Sequence, residues 1–430
     1  MSAAPKQQAV VPFVGGTRWI VCALLFAAIA LSYIDRQVLS VLEPTLARTY
    51  NWTPVGYSNI VFYFQLAYGI GYLTFGRIVD KVGARIGYAV AVSLWTVGHM
   101  AHALVTSTLG FSIVRIPLGL GEAGAFPASL AAIAEWFPTK ERTLAIGLFN
   151  AGTNIGAILA PLIVPYVMLA FGWRMAFILT GLLTVVWLVV WLWFYRRPRE
   201  HRGVSVTELA YIESDRVEDT HAPTPWIQLL RRRETWAYMA GRFLIDPIWW
   251  TFLFWLPDFF DSRYHLNLKS YGPPLVVIYV LADLGSIAGG WGSSTLLGRG
   301  FSLNASRKTA MLLCALVVLP VALASHFANI WIAVGLLGLA CAGHQGFSAN
   351  LYALPSDLFP RWAAGSVVGL GGAAGATGGM LIAKFNGWIL QATNKDYTPI
   401  FIVAACAYLV ALGVVHLLTP RYERSRGAEA

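Results

Sequence analysis

Charge is what this 430-residue chain has little of: Asp, Glu, Lys and Arg make up 12% of it, against 57% hydrophobic residues. Its mean hydropathy is +0.61. Such a composition excludes a soluble domain, because too few polar groups remain to cover a surface in water. Cysteine is scarce too. Cys22, Cys314, Cys341 and Cys406 all lie in apolar stretches without CxxC spacing, so neither a disulfide framework nor a thiolate metal site is expected. No run alternates as a membrane β-strand would, which excludes a β-barrel. Nucleophile–base sets, metal-ligand spacings and phosphate-binding glycine loops are missing as well, so the sequence predicts no enzyme, cofactor or metal.

What the chain has is apolar length. About twelve segments of about 20 residues, each enough to cross a ~30 Å hydrocarbon core as a helix, recur along it. They are 19–42, 57–77, 86–106, 109–135, 143–169, 174–195, 236–261, 273–297, 309–327, 330–354, 364–388 and 398–419. The first is too long for a cleavable signal and carries Asp35-Arg36, so it is expected to stay as the first helix. Of the 31 Lys and Arg, roughly 22 fall on one side of these spans and about five on the other. That asymmetry predicts cytoplasmic termini and a cytoplasmic central loop. It also accounts for the net charge of +10 without a nucleic-acid partner.

Shifting the chain against itself by about 222 residues aligns its spans. Phe137-Pro138 falls on Phe359-Pro360, Gly147-Leu148 on Gly369-Leu370, and Gly156 on Gly378. The expected fold is all-α, with twelve transmembrane helices in two six-helix pseudo-repeats. Parallel repeats of this kind mark transporters that bind substrate between two rocking halves. The predicted organisation is a tail at 1–18, a bundle at 19–195, a cytoplasmic linker at 196–235, a bundle at 236–419 and a tail at 420–430. Leu209, Ile212, Trp226 and Leu229 lie among the linker's charges and predict an amphipathic helix on the membrane surface. The same alignment shows where symmetry breaks: Glu122 falls on His344.

Ionisable residues inside spans are costly to bury and are functional candidates by default. Asp35 and Arg36 are adjacent in the first span, so they point about 100° apart and do not simply neutralise each other. A guanidinium such as Arg36 grips a carboxylate through two parallel hydrogen bonds. Glu122, bracketed by glycines near the bilayer centre, is suited to take up and release a proton because burial disfavours its charged form. A cation moving close, Arg36 or Arg115, would reverse that. Arg115 lies seven residues before Glu122 on the same helical face and reads as structural. Structural ion pairing is the alternative for each of these residues.

Asn150 and Asn154 are one turn apart in the fifth span, and His344, Gln345 and Asn350 lie on the tenth. Trp249, Trp250 and Trp255 cluster on the seventh. Amides for hydroxyls and flat rings for C–H surfaces would suit a sugar, although helix packing explains each residue equally well. Asp246, Asp283 and Lys384 are further charges without an assigned role; Asp283 and Lys384 are candidates to pair. Between the second and third spans, Gly76 to Arg85 reads G-x-x-x-D-K-x-G-x-R. Asp80, Lys81 and Arg85 in that tight turn could latch a gate by making charged bonds in one conformation only. The matching loop of the second half has Ser302 in place of Asp80.

These stretches together resemble the major facilitator superfamily, within it the anion:cation symporter family, and there bacterial hexuronate transporters. The resemblance rests on SYIDRQVLS (32–40), the loop at 76–85, the run from Arg115 to Arg142 with FNAGTNIGA (149–157), DPIWWTFLFWLP (246–257), GSIAGGW (285–291) and HQGFSANLYALPSDLFP (344–360). It implies proton-coupled uptake of a sugar acid across the bacterial inner membrane by a monomer in the lipid bilayer. It further implies that Arg36 grips the substrate carboxylate, that Asp35 and Glu122 carry protons, and that Arg115 supports Glu122. Tyr33 and Tyr68 would line the cavity with Asn150, Asn154, His344 and Asn350. The loop signature often ends in two basic residues, whereas here Ala84 precedes Arg85. Galacturonate or glucuronate is the expected substrate; an aldonate such as galactonate, or an aromatic or dicarboxylic acid, is the alternative. An efflux antiporter for cations would show no buried arginine, and a non-transporting sensor would need an added domain for which the loops leave no room.

Overall fold

The computed structural model describes residues 16–214, 225–268 and 270–422. Most of the two expected tails and the middle of the expected linker lie outside the described residues. Fifteen α-helices follow in order: α1 Thr17–Tyr50, α2 Pro54–Ala101, α3 Thr108–Ala123, α4 Ala125–Trp136, α5 Thr139–Phe171, α6 Trp173–Phe194, α7 Val206–Glu213, α8 Trp226–Leu230, α9 Arg233–Tyr264, α10 Gly272–Gly298, α11 Leu303–Val318, α12 Ile330–Leu351, α13 Leu354–Leu358, α14 Arg361–Ala392 and α15 Thr398–Leu418.

Among the described residues nine helical segments are long and apolar enough to cross a membrane. The other crossings come from α2 and α9. A 48-residue helix is about 72 Å long at 1.5 Å per residue, twice what one crossing needs. α2 is divided at Gly83, whose φ of 79° and ψ of 164° only glycine adopts readily. α9 is less apolar because it carries Arg242, Asp246, Asp258 and Asp261. Arg242 pairs with Asp246, Asp258 with Lys395 and Asp261 with Arg48, and these four α9 side chains are largely shielded although Arg48 is not, which is how a membrane helix tolerates them.

The repeat is visible in local geometry. α4 and α13 both end at a Phe-Pro step. Proline forces the residue before it into extended backbone, and Phe137 (ψ 134°) and Phe359 (ψ 153°) are both extended. Pro138 and Pro360 then open α5 and α14 with dihedrals of −61°, 153° and −60°, 153°. The helices continue beyond the apolar segments read from sequence: α1 reaches Tyr50 and α9 starts at Arg233. Hydropathy marks the oily stretch, while helical hydrogen bonding runs on into the interface.

Within the expected linker, α7 docks one face on the first half: Glu208 is fully buried and accepts from the Arg18 backbone N–H at 3.1 Å, and Tyr211 donates to Glu141 at 2.9 Å. Leu229 of α8 is buried as well.

The halves meet where α1 faces α9, α2 faces α14 and α5 faces α10. On the side away from the basic loops, here the outer side, Ser40 donates to Leu253 O at 3.0 Å and Tyr57 to Phe254 O at 2.9 Å. Arg48 pairs with Asp261 at 3.0 Å, and Lys384 donates to Asn59. Among the described residues no side-chain hydrogen bond joins the inner ends of these helices. The outer face is closed by these contacts.

Candidate functional site

Arg36 is 1% exposed in the middle of this arrangement. Its Nε donates to Glu122 Oε2 at 2.7 Å, and Nη2 lies 2.6 Å from the same oxygen. Four rings surround the guanidinium: Tyr33 at 4.6 Å, Tyr68 at 4.8 Å, Trp250 at 4.9 Å and Phe64 at 5.3 Å. Each such contact contributes about 0.5–2 kcal/mol, more where water is excluded. Trp250 belongs to the second half, so the cage spans both. Two polar atoms have no partner, Arg36 Nη1 and Glu122 Oε1. Chemically this is an anion site filled on one side by the protein's own carboxylate.

Glycines set that geometry. A side chain at Gly119 would meet Phe64 O, and one at Gly121 would meet Trp95 N and Ala91 O. Bare backbone lets α3 lie directly on both crossings of α2, which fixes Glu122 opposite Arg36. The helix then breaks at Gly124, whose N–H donates to Gly121 O at 2.9 Å. Arg115 does not reach Glu122 by hydrogen bond. It is buried and donates to the Arg36 carbonyl at 3.5 Å, bracing the backbone of α1.

Asp35 faces away from Arg36, as neighbours on a helix must. Its Oδ2 accepts from Thr184 at 3.0 Å on α6, and its Oδ1 lies 3.2 Å from His99 Nε2 on α2. His99 Nε2 is also 2.7 Å from Thr180 Oγ1. The two carboxylates expected to carry protons therefore occupy separate compartments, one with a fixed cation and one with a histidine and two hydroxyls.

In the second half, His344 has protein partners on every side that is described. Its Nδ1 is 2.7 Å from Tyr408 OH, its Nε2 is 3.2 Å from Ser348 Oγ, and its ring stacks on Trp249 at 5.1 Å. With both ring nitrogens engaged, no donor is left for a ligand. Asn350 likewise ties helices together. Its Nδ2 donates to Gly289 O and Gly346 O, and its Oδ1 accepts from Arg307 at 3.3 Å. Asn154 does bridge the halves, accepting from Gln345 Nε2 at 3.5 Å, and Asn150 one turn earlier is exposed. Asp283 and Lys384 do not pair: Lys384 reaches Asn59 across the interface, and Asp283 Oδ1 has no partner.

The sequence pattern of the Major Facilitator Superfamily matches residues 25–306. The hexuronate transporter of Escherichia coli K12 is 34% identical over 406 residues, 93% of each chain. The chain belongs to the major facilitator superfamily. It is a transporter rather than an enzyme. It is also similar to the galacturonate transporter of Dickeya chrysanthemi, at 34% identity over 74% of this chain and 94% of that one. The D-galactonate transporter of Escherichia coli O6:H1 is 26% identical over 94% of this chain and 96% of its own. Among solved structures, an inward-facing, occupied bacterial homologue of the lysosomal transporter Spinster superposes with a TM-score of 0.73 at 16% identity, covering 94% of this chain and 97% of that one. That likeness is one of fold.

In this facilitator the charged residues of the loop at 76–85 are largely unpaired. Asp80 and Lys81 are exposed and make no ion pair among the described residues, while Arg85 Nη2 donates to Leu192 O at 2.5 Å. The repeat partner of Arg85, Arg307, does pair, with Asp357 at 3.0 Å. Sequence reasoning missed three sets of buried polar residues: His99 with Thr180 and Thr184, Arg242 with Asp246 (2.7 Å, with Tyr352 donating to Asp246 at 2.8 Å), and Glu43. The signal was present in each case as a charged or histidine side chain within or beside an apolar run.

Proposed function

We propose that this facilitator is a proton-coupled symporter that takes up a sugar-acid anion, best a hexuronate such as galacturonate or glucuronate. It would act by alternating access in the bacterial inner membrane, as a monomer with both termini in the cytoplasm, its halves at 19–195 and 236–419 rocking about the site. The observation that carries the reading is the shared use of Arg36. Ionised Glu122 occupies Nε and Nη2 of the guanidinium, and Nη1 is free. When Glu122 takes a proton it loses its charge-assisted bonds, and Arg36 can present a bidentate fork to a substrate carboxylate. Proton and anion then enter the cage together, which is symport. After release to the inner side, Glu122 deprotonates and recaptures Arg36. Tyr33, Tyr68 and Trp250 would supply faces for the sugar ring, with Asn150 and Asn154 as hydroxyl partners. Asp35, close to His99 and two threonines, would be a second proton site that senses helix position.

Purified protein in liposomes tests this. Radiolabelled uronates and aldonates are offered with and without a pH gradient. Accumulation of a uronate only when the outside is acid is the expected result. Uptake indifferent to the gradient, or restricted to anions without a sugar backbone, would overturn it.

A further inference from the structure

At the outer end of α1, one residue beyond the apolar stretch 19–42, Glu43 is 4% exposed. Its Oε2 has no hydrogen-bond partner. It lies one helical turn beyond Ser40, which bonds to Leu253 O of α9 at 3.0 Å across the closed outer face, and the charges acting on it are Asp258, Lys395, Asp261 and Arg48.

Every other group in this cluster is already committed. Lys395 Nζ sits 2.5 Å from Asp258 Oδ1, and Arg48 Nη1 sits 3.0 Å from Asp261 Oδ2. Three phenols point into the same region from different elements. Tyr397, just before α15, donates to Asp258 at 2.5 Å; Tyr271, just before α10, donates to Asp261 at 3.2 Å; and Tyr57 of α2 donates to Phe254 O at 2.9 Å. Arg115 on α3 exerts its charge on Tyr57 but donates its side-chain hydrogen bond to the Arg36 carbonyl. Three carboxylates thus share two cations, and each cation is held by an aspartate of α9. The carboxylate left over is Glu43, the one contributed by the opposite half.

We propose that Glu43 takes up a proton when the outer face closes, so that closure of that face is itself a proton-binding step. With the face open, Glu43 would be solvated at the membrane surface and free to ionise. With it closed, an ionised Glu43 would be a buried charge beside two aspartates without a cation of its own, which is strongly unfavourable. A neutral carboxylic acid in that place removes the excess charge. The linkage has a definite sign: the closed state binds the extra proton, so acid favours closure and alkali favours opening. This site is separate from the Arg36–Glu122 cage and does not depend on which anion is carried.

The test measures closure without substrate. Full-length protein, with its four cysteines replaced by serine or alanine, is spin-labelled at Thr106→Cys and Ala328→Cys, exposed residues on outer loops of the two halves. Electron–electron distance distributions in nanodiscs are recorded between about pH 8.5 and about pH 5.5, and one linked proton changes the closed-to-open ratio by up to about tenfold per pH unit. Wild type should close as pH falls. Glu43→Gln should remain closed at both extremes, as should Glu43→Leu, an apolar substitute should the amide fold poorly. Asp258→Asn removes a facing carboxylate and frees Lys395 for Glu43, so its transition should move to lower pH. The proposal is overturned if Glu43→Gln titrates like wild type, if wild type shows no pH dependence, or if Asp258→Asn leaves the transition unmoved. Loss of uronate transport alongside intact, Glu43-dependent closure would instead count against the substrate reading.

Discussion

Where the first half carries Glu122 the second carries His344, and the neighbours of each explain the division of labour between two copies of one unit. Glu122 meets a cation on the facing helix and leaves one oxygen unpartnered. His344 meets Tyr408, Ser348 and the face of Trp249, and leaves nothing unpartnered. One site is built to exchange partners and the other to stay as it is. The inner loops show the reverse: Arg307 is paired with Asp357 in the second half, while in the first Arg85 caps a carbonyl and Asp80 is free. On the proposed mechanism, the first half would supply the exchanging groups, and the second half contributes Trp250 to the cage.

The sharpest way to break this comparison is to change the equivalent centres in turn. Arg36→Lys keeps the charge but loses the fork and its stacking, and should weaken uronate binding by about 100-fold or more. His344→Gln should leave affinity within about threefold and instead lower stability by about 1–2 kcal/mol through its lost buried hydrogen bonds. Calorimetric titration and thermal unfolding of both variants would separate the roles. An Arg36→Lys protein that binds as tightly as wild type, or a folded His344→Gln protein that fails to bind, would erase the distinction.

The carboxylates come next. Glu122→Gln mimics the protonated form, so exchange of substrate should persist within a few-fold while accumulation driven by a pH gradient disappears. Asp35→Asn and His99→Gln act in the other compartment and should each reduce gradient-driven uptake partially, and to a similar extent because they disturb one contact. Unequal effects of these two would show that His99 is packing alone. The smallest effects belong to the loops. Asp80→Asn should slow transport without altering stability in this conformation, whereas Asp357→Asn should cost about 1 kcal/mol there because its pair is half-shielded. Equal destabilisation by both would mean that the two loops are not in opposite states.

The fold was legible because its determinants are local and repeated. Apolar runs set the crossings, and the Phe-Pro steps and glycines recur at one spacing. The two crossings within α2 were read correctly as separate because Gly83 and its charged neighbours interrupt the pattern, even though helical hydrogen bonding bridges them. Arg36 and Glu122 stood out because each is a lone charge in an oily segment. Their pairing with each other was not legible, since it depends on α1 and α3 lying side by side. Residue type likewise does not reveal that His344 and Asn350 already have protein partners on α9, α15, α10 and α11. Glu43 escaped notice because it lies past the end of an apolar stretch, where a charge is ordinarily solvated. Only closure of the outer face makes it buried.

The central claim is that Glu122 and the substrate carboxylate compete for Arg36. Uronate affinity measured against pH, in wild type and in Glu122→Gln, tests it most directly. With one proton required per anion bound, wild-type affinity should fall by up to about tenfold per pH unit above the titration of Glu122. Glu122→Gln, whose amide cannot compete as an anion, should bind tightly with a slope near zero across the same range. A Glu122→Gln protein whose affinity falls with pH as steeply as wild type would contradict the account.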